Sequence, residues 1–347
     1  SEDPATTGMA CSFHVSCGIS TEARSTIMTR MSTSETLKVS FRHFYPDFAP
    51  QDFWLPLIQQ VSRRPVSVTP VRQSDLIFTS VFENFTDIWR RRLFSRRTLP
   101  SIPRAASNAK PSAKQIWVTG ENIRAPKDKY DLSISFDTDT YGGTNLYWPY
   151  LFENLNWHLG QARELNVRGV PKLDPNSIAQ ARVNPVSTRP GFVCAFIGNP
   201  EPIRFRAVDE LRKFGEVQVF GTAVDRPVST KLDVAKDFRF VLAFENDVYP
   251  GYVTEKPLEA YACGAVPLWR GLDATKILNP QSMINALDFP SLSHFAQEVA
   301  ALDADPEKLN RVASEPLVNQ VPSLESVKAA LCELIASAVG NDAANCS

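Results

Sequence analysis

The stretch FENDVYPGYVTEKPLEAYACGAVPLW, residues 244–269, reads as one strand–loop–helix–strand unit. Phe240–Phe244 (FVLAF) is an apolar run that ends at Glu245 and Asn246, and near-continuous apolar runs of this length suit central parallel strands covered on both faces. Pro250 and Gly251 mark a loop, and Thr254 is placed to N-cap a helix opening Glu255-Lys256-Pro257. That helix spans about 254–263, Gly264 stands where it would end, and Ala265–Trp269 (AVPLW) starts the next strand.

Working toward the N-terminus, Phe192–Ile197 (FVCAFI) and Val217–Phe220 (VQVF) are further strand-like runs, with a helical pattern over 203–213 between them. Repeated β-α units predict a doubly wound, Rossmann-like domain that binds its ligand at the carboxyl ends of the strands. Farther upstream Leu37–Phe41, Val66–Val68 and Leu76–Phe78 read as strands, with a helix at about 51–62. Downstream, Ser323 to Val339 predicts a helix with Leu324, Val327, Leu331, Leu334 and Ile335 on one face.

A helix N-terminus after a strand end offers free N–H groups and a positive dipole to an anion. Lys256 adds a full charge at one such start, and Arg204 and Arg206 in GNPEPIRFR add charge near another. Two helix starts and two cations converging on one crevice describe a diphosphate site. Neither GxGxxG nor GxxxxGK[ST] occurs, so no dinucleotide fingerprint or P-loop accounts for it. Taken singly, Thr-Glu-Lys at a helix start is ordinary capping and an Arg on a helix is solvated; the combination at strand ends of one sheet carries the argument.

The chain of 347 residues is 43% hydrophobic and 22% charged, with 37 Lys and Arg against 38 Asp and Glu. This is an ordinary globular balance with length for about two domains. It excludes a disordered tail protein, a fibre and a disulfide-stapled miniprotein, and a net charge of −1 makes no case for nucleic acid. No apolar run approaches the ~20 residues of a spanning helix. Six scattered cysteines make no framework: Cys194 and Cys263 read as buried small hydrophobes, and Cys11, Cys17, Cys332 and Cys346 lie toward the ends. With no CxxC and with His14, His43, His158 and His294 isolated, a zinc site is not expected. The cysteine usage points to a reducing compartment.

Residues 1–36 read as a flexible leader without the h-region of a signal peptide, and Met31 is available as an alternative start. Asn84-Phe85-Thr86 and Asn345-Cys346-Ser347 are glycosylation sequons that require a secretory context. Between Arg90 and Lys114 lie eight bases and no acid, whereas from Asp288 onward nine acids face three bases. The basic stretch reads as a solvated helix and loop, or as a surface for anionic lipid or a lipid-linked glycan.

With these residues assembled, the chain resembles the α1,3/α1,4-fucosyltransferases that use GDP-fucose. FENDVYPGYVTEK matches that family's signature, and CAFIGNPEPIRFRAVDEL (194–211), WVTGENIRAP (117–126) with SISFD (133–137), and SMINALDF (282–289) follow in order. The resemblance covers roughly 110–290. It implies the GT-B architecture, two Rossmann-like doubly wound α/β domains facing a central cleft: 37–165 as the acceptor-binding domain, 166–322 as the GDP-fucose-binding domain, and 323–347 as a terminal helix and tail. Carried over by position, Arg204 (or Arg206) and Lys256 would hold the diphosphate. Tyr252 and Glu255 would complete the donor pocket with Gly198 and Asn199, and Asn246 with Glu245 would shape the strand-end loop and add donor contacts. Asp247 and Gly198 stand where many members have Ser.

Moving fucose from a β-linked nucleotide to an α-glycoside inverts the anomeric carbon, so one carboxylate must take the acceptor's proton while diphosphate leaves on the other face. The family's base matches Glu121, which follows a short apolar strand and Gly120. Arg204, Lys256 and the helix dipoles would neutralise departing GDP, so no cofactor or metal clamp is required and a divalent cation is at most stimulatory. PLEAYACG also resembles a segment of retaining GT-B enzymes, but where those carry a second Glu, eight residues before Glu259, this chain has Gly251, which favours inversion. The aromatic-rich FDTDTYGGTNLYWPYLFENLNWH (136–158) offers Asp137, Tyr141, Tyr147 and Trp148 as acceptor candidates, against the alternative that most of it is core.

The expected function is therefore fucosyl transfer to a GlcNAc- or glucose-containing glycan, most simply α1,3. Rival readings are another inverting nucleotide-sugar transferase and a non-catalytic glycan- or nucleotide-sugar-binding protein, which would have no need of Glu121. A cytoplasmic enzyme of bacterial type is the expected setting, with a trimmed Golgi fragment as the alternative.

Overall fold

A computed structural model describes residues 36–82, 104–160 and 163–340. The leader up to residue 35, both sequons and the Arg-rich run at 89–97 lie outside the described residues.

The first sheet contains β1 (Leu37–Arg42), β2 (Val66–Val68), β3 (Leu76–Thr79), β4 (Lys114–Val118), β5 (Leu132–Ser135) and β6 (Asn145–Tyr147). Its order is β2-β1-β3-β4-β5-β6, and every neighbouring pair is parallel. The second contains β7 (Gly191–Phe196), β8 (Val217–Phe220), β9 (Phe238–Phe244), β10 (Val266–Arg270) and β11 (Ile284–Asn285). Its order is β8-β7-β9-β10-β11, again all parallel. Each sheet therefore begins 2-1-3-4-5, with its topological switch point between its first and third strands. The strand expectations differ from the observed bounds by one or two residues, as expected for frayed ends.

Helix α1 (Trp54–Ser62) follows β1, and the second sheet is accompanied by α2 (Pro202–Leu211), α3 (Lys231–Ala235), α4 (Glu255–Ala262), α5 (Leu292–Asp303) and α6 (Pro306–Ser314). On one face of that sheet, Ala207 of α2, Phe295 of α5 and Leu309 of α6 pack on Val193, Phe240 and Leu268. On the other, Ala235 of α3 and Ala260 of α4 pack on Cys194 and Val241. With both faces covered, the strands are apolar throughout, which is why their sequences read as unbroken runs. Gly264, at φ +75°, follows α4 where its end was expected.

Helix α7 (Glu325–Val339) returns to the first sheet. Val327, Leu331 and Ile335 are fully buried with Leu57 and Ile58 of α1 and Leu37, Phe78 and Ile116 of the strands, each such burial contributing about 1.5–3 kcal/mol. Among the described residues, both helices of the first sheet lie on this face, while Trp117, Ala125 and Tyr130 cluster on the opposite one. A further core joins Leu151 and Leu155 to Val253, Leu258 and Trp269, fastening the halves behind the cleft.

Cys194 and Cys263 are buried and free, as their apolar settings predicted. Cys332 on α7 is disulfide-bonded, which the scattered cysteine pattern had not indicated. No helix among the described residues is long and apolar enough to cross a membrane. Of the described bases in the 90–114 stretch, Lys110 pairs with Asp75 and Lys114 with Asp131 at 3.3 Å.

Candidate active site

A cavity of about 620 Å³ lies between the two sheets. It is bounded by the carboxyl ends of β1, β3 and β4 on one side and of β7 and β9 on the other, so both switch points open into it.

Glu121 reaches the cavity from the turn after β4. Its N–H donates to the Thr119 hydroxyl at 3.0 Å, and that hydroxyl donates to the Glu121 carbonyl at 3.1 Å, which fixes the turn. A Cβ on Gly120 would fall 2.8 Å from the Tyr150 ring, so only glycine lets Tyr150 pack against the residue preceding the carboxylate. Burial raises the Glu121 pKa above the ordinary carboxylate value; Lys256 pulls it down and Glu255 pushes it up. A carboxylate shifted this way is a stronger proton acceptor.

On the opposite wall, Gly198 and Asn199 follow β7, and Asn246 follows β9. Arg204 is 6% exposed. Its guanidinium donates to the Asn199 carbonyl at 3.1 Å, the Phe244 carbonyl at 2.8 Å and Asn246 Oδ1 at 2.8 Å. It lines the cavity, whereas Arg206 is exposed elsewhere on α2. Helical periodicity separates residues two apart by about half a turn, so only one of the pair can face inward.

Lys256 also lines the cavity, and its ammonium donates to Glu245 at 3.1 Å and to the Thr254 hydroxyl at 2.8 Å. Burial works against its charge, but Glu245 and Glu255 outweigh that and raise its pKa. Two expectations change here. Thr254 occupies the N-cap position of α4 without a side-chain cap bond; its hydroxyl donates to Glu245 at 2.6 Å instead. Glu245, fully buried, is not among the described cavity residues. It accepts from the Thr254 N–H at 2.9 Å and the Trp269 indole at 3.3 Å, and so is the anchor behind Lys256 rather than a donor contact. The deeper carboxylate wins the hydroxyl because a buried charge needs every available donor.

Tyr252 is buried on the cavity wall with its hydroxyl unpartnered, and burial raises its pKa well above the ordinary phenol value. Glu255 lines the cavity too. Burial would raise its pKa, but Arg168, Lys256 and Lys231 hold it well below the usual carboxylate range. Gly251, at φ +82°, has no space for a side chain: a Cβ would meet the Phe136 carbonyl oxygen at 2.5 Å. Backbone packing therefore excludes a carboxylate from that position.

Sequence reasoning missed Arg168, Asn166 and Lys231. Arg168 sits on a turn bounded by the Leu165–Pro171 bridge and pairs with Glu255 and, at 3.1 Å, with Glu259. Asn166 donates to Glu259 at 2.7 Å, and Lys231 forms an ion pair with the same carboxylate. All three line the cavity. Asn166 and Gly169 are turn residues, but nothing local marks Arg168 for a carboxylate 87 residues away.

None of the four acceptor candidates is among the described cavity residues. Trp148 is core, stacked with Phe53 at 5.9 Å. Asp137 is buried and accepts from the Ala125 N–H at 3.1 Å and the Tyr141 hydroxyl at 3.0 Å, which accounts for both residues. Tyr147 bonds Thr275 at 2.9 Å on the second half. Asp137, Tyr141 and Tyr147 thus meet their polar requirements inside the protein.

Residues 186–334 match the family described as glycosyltransferase family 10 (fucosyltransferase) C-term. The chain is 29% identical over 202 residues to alpha-(1,3)-fucosyltransferase FucT of Helicobacter pylori, covering 51% of this chain and 42% of that protein. It is 28% identical over 199 residues to alpha-(1,3)-fucosyltransferase C of Drosophila melanogaster, covering 51% and 43%. The matched region thus spans less than half the length of these curated relatives. Among solved structures, an alpha1,3-fucosyltransferase with GDP-fucose superposes with a TM-score of 0.60 at 20% identity, over 88% of this chain and 91% of that one. That likeness establishes the GT-B fold.

Proposed function

We infer that this chain, whose residues 186–334 belong to the glycosyltransferase family 10 fucosyltransferases, transfers L-fucose from GDP-β-L-fucose to a sugar hydroxyl with inversion. The observation that carries this reading is the single cavity onto which Glu121 faces from one sheet and Arg204, Asn246 and Lys256 face from the other.

In the reaction, the acceptor oxygen forms its bond to the anomeric carbon as the bond from that carbon to the diphosphate oxygen breaks. The acceptor's proton passes to Glu121, and GDP leaves with the bonding electron pair. Lys256, Arg204 and the N-termini of α2 and α4 stabilise the charge that develops on the diphosphate. Tyr252 and Glu255 face the cavity between these groups and are assigned to the fucose. No metal is required in this scheme, and chelation is expected to leave transfer unchanged apart from any stimulation by added divalent cation. A GlcNAc- or glucose-containing glycan is the proposed acceptor, with α1,3 linkage.

The test offers GDP-fucose with such acceptors to the native chain and to Glu121→Gln. The variant is expected to bind GDP normally and to lose about 10²–10⁴-fold in transfer rate. Transfer unaffected by the substitution rejects Glu121 as base, and failure of the native chain to bind GDP rejects the whole reading.

A further inference from the structure

The acceptor has no assigned place once Asp137, Tyr141, Tyr147 and Trp148 are accounted for, yet the cavity also reaches the first sheet beside Glu121. Its wall there comes from the segment after β1. Phe44 and Phe48 stack with ring centroids 3.8 Å apart, and Tyr45 meets Phe48 edge-on at 5.8 Å. The segment leaves the switch point of the first sheet, the counterpart of the place from which the second sheet presents Asn199 and Asn246.

The wall is continuous with the base. The Tyr150 ring rests on Gly120, next to Glu121, and its hydroxyl lies 3.4 Å from that of Tyr45. Glu153 lines the same part of the cavity. Beside its carboxyl is the indole N–H of Trp54, which is 1% exposed and directed at Glu153, where it pulls the carboxyl pKa down against burial. A hydroxyl suits this place because it can both donate to and accept from a carboxyl group. Sugars combine such hydroxyls with apolar ring faces that stack on aromatic side chains.

Charge narrows the choice. Asp47, Asp52 and Glu153 line this end, and Arg163 beside it is committed to Asp52. Lys172 lines it with its pKa lowered by burial, and Arg168, which reaches the same wall near Tyr45, is committed to Glu255 and Glu259. An acidic sugar would bring its charge against Asp47 and Asp52, while the Glu153 carboxyl, kept protonated by burial, offers an O–H to a neutral hydroxyl.

We propose that Tyr45, Phe48, Trp54 and Glu153 form the acceptor subsite, and that it takes an uncharged pyranose with its apolar face on the Tyr45–Phe48 wall and a hydroxyl at Glu153. The proposal rests on the fucosyltransferase reading above.

The experiment measures acceptor KM, GDP-fucose KM and GDP Kd for the native chain, Phe48→Ala and Glu153→Ala, using a neutral GlcNAc-containing disaccharide and its uronic-acid analogue. Each variant is expected to raise the acceptor KM about tenfold with GDP Kd unchanged. The acidic analogue is expected to be used at least about tenfold less efficiently by the native chain. Where an alanine variant fails to fold, Phe48→Leu and Glu153→Gln replace it, with an expected rise of about threefold. An acceptor KM unmoved by substitution at both positions, or one that moves in step with GDP Kd, overturns the subsite. Equal use of the acidic analogue overturns the neutral-sugar assignment. A native chain that neither binds GDP nor transfers fucose fails at the earlier reading, whereas one that does both while its acceptor KM ignores these substitutions fails only at the subsite.

Discussion

The Asn246 carboxamide lies 3.4 Å from the Glu121 carboxylate, donating to it from across the cleft, while its oxygen accepts from Arg204 at 2.8 Å. One amide thus sets the orientation of the proposed base and of a proposed diphosphate contact together. Replacing Asn246 with Asp would place a carboxylate beside Glu121. Like charges disfavour ionisation, so the Glu121 pKa, already raised by burial, should rise further. A base must be ionised to act, so the acidic limb of the kcat/KM profile should move to higher pH. Asn246→Ala should lower kcat about tenfold with a smaller displacement in the same direction, because it removes a hydrogen bond that holds the Glu121 pKa down. An acidic limb in Asn246→Asp that coincides with the native one would sink this account.

Glu245 and Lys256 make a second test of anchoring. Glu245→Gln removes the charge that holds the Lys256 ammonium, and breaking a buried pair costs about 3–5 kcal/mol. Urea unfolding should show that loss, and calorimetry should show weaker GDP binding in the folded fraction. Lys256→Ala should weaken GDP binding directly; unchanged affinity in both variants would separate this pair from the diphosphate.

Arg204 and Arg206 are close in sequence but face different surroundings. Arg204→Ala should weaken GDP binding and destabilise the chain, because the Asn199 and Phe244 carbonyls and Asn246 lose their donor. Arg206→Ala should change stability by no more than about 0.5 kcal/mol, as is usual for an exposed position, and leave GDP affinity intact. Equal losses of affinity in the two variants would contradict the placement.

The Glu153 carboxyl is pushed up to about 8 by burial, against the opposing pulls of Trp54 and Lys172. Between the ordinary carboxylate range and about pH 8, the folded state holds a proton that the unfolded state has lost. Stability from this group is therefore complete at low pH and falls as pH rises to about 8. Glu153→Gln, which cannot ionise, should lack this component, so its Tm relative to the native chain should climb across that interval. A constant difference in Tm would remove the buried-acid description.

Gly251→Ala should be among the more damaging small substitutions. It places a side chain at φ +82° and a Cβ 2.5 Å from the Phe136 carbonyl oxygen, which is backbone and cannot swing aside. A loss on the order of 2–4 kcal/mol is expected by thermal or chemical unfolding. A variant with native stability would show that the two halves can shift apart there without cost.

The second sheet was legible from sequence because both of its faces are covered: FVCAFI, VQVF, FVLAF and AVPLW lie on β7, β8, β9 and β10. Helix α7 was readable from its apolar stripe, though not the sheet on which it would land. The aromatic stretch at 136–158 was ambiguous because aromatic side chains serve a core and a sugar site equally well: Trp148 is core and Tyr141 bonds Asp137, while Tyr150 and Glu153 of the same stretch reach the cavity beside HFYPDF at 43–48. Glu245 was read as a donor contact because a strand-end acid has the same local pattern whether it points into the cleft or behind it.

By itself the sequence determined the elements and their order: strand ends, helix starts, and the Glu121, Arg204, Asn246 and Lys256 positions that follow them. These are set by hydrophobic period, turn residues and helix periodicity, all of which act within a few residues. Only the tertiary structure decided which charges meet. Arg168 reaches Glu255, Lys231 reaches Glu259, and Glu245 turns inward to Lys256 and Thr254. Such pairings depend on sheet order and on the path of loops across the sheet ends, and a buried carboxylate takes whatever donors that packing brings within hydrogen-bond distance.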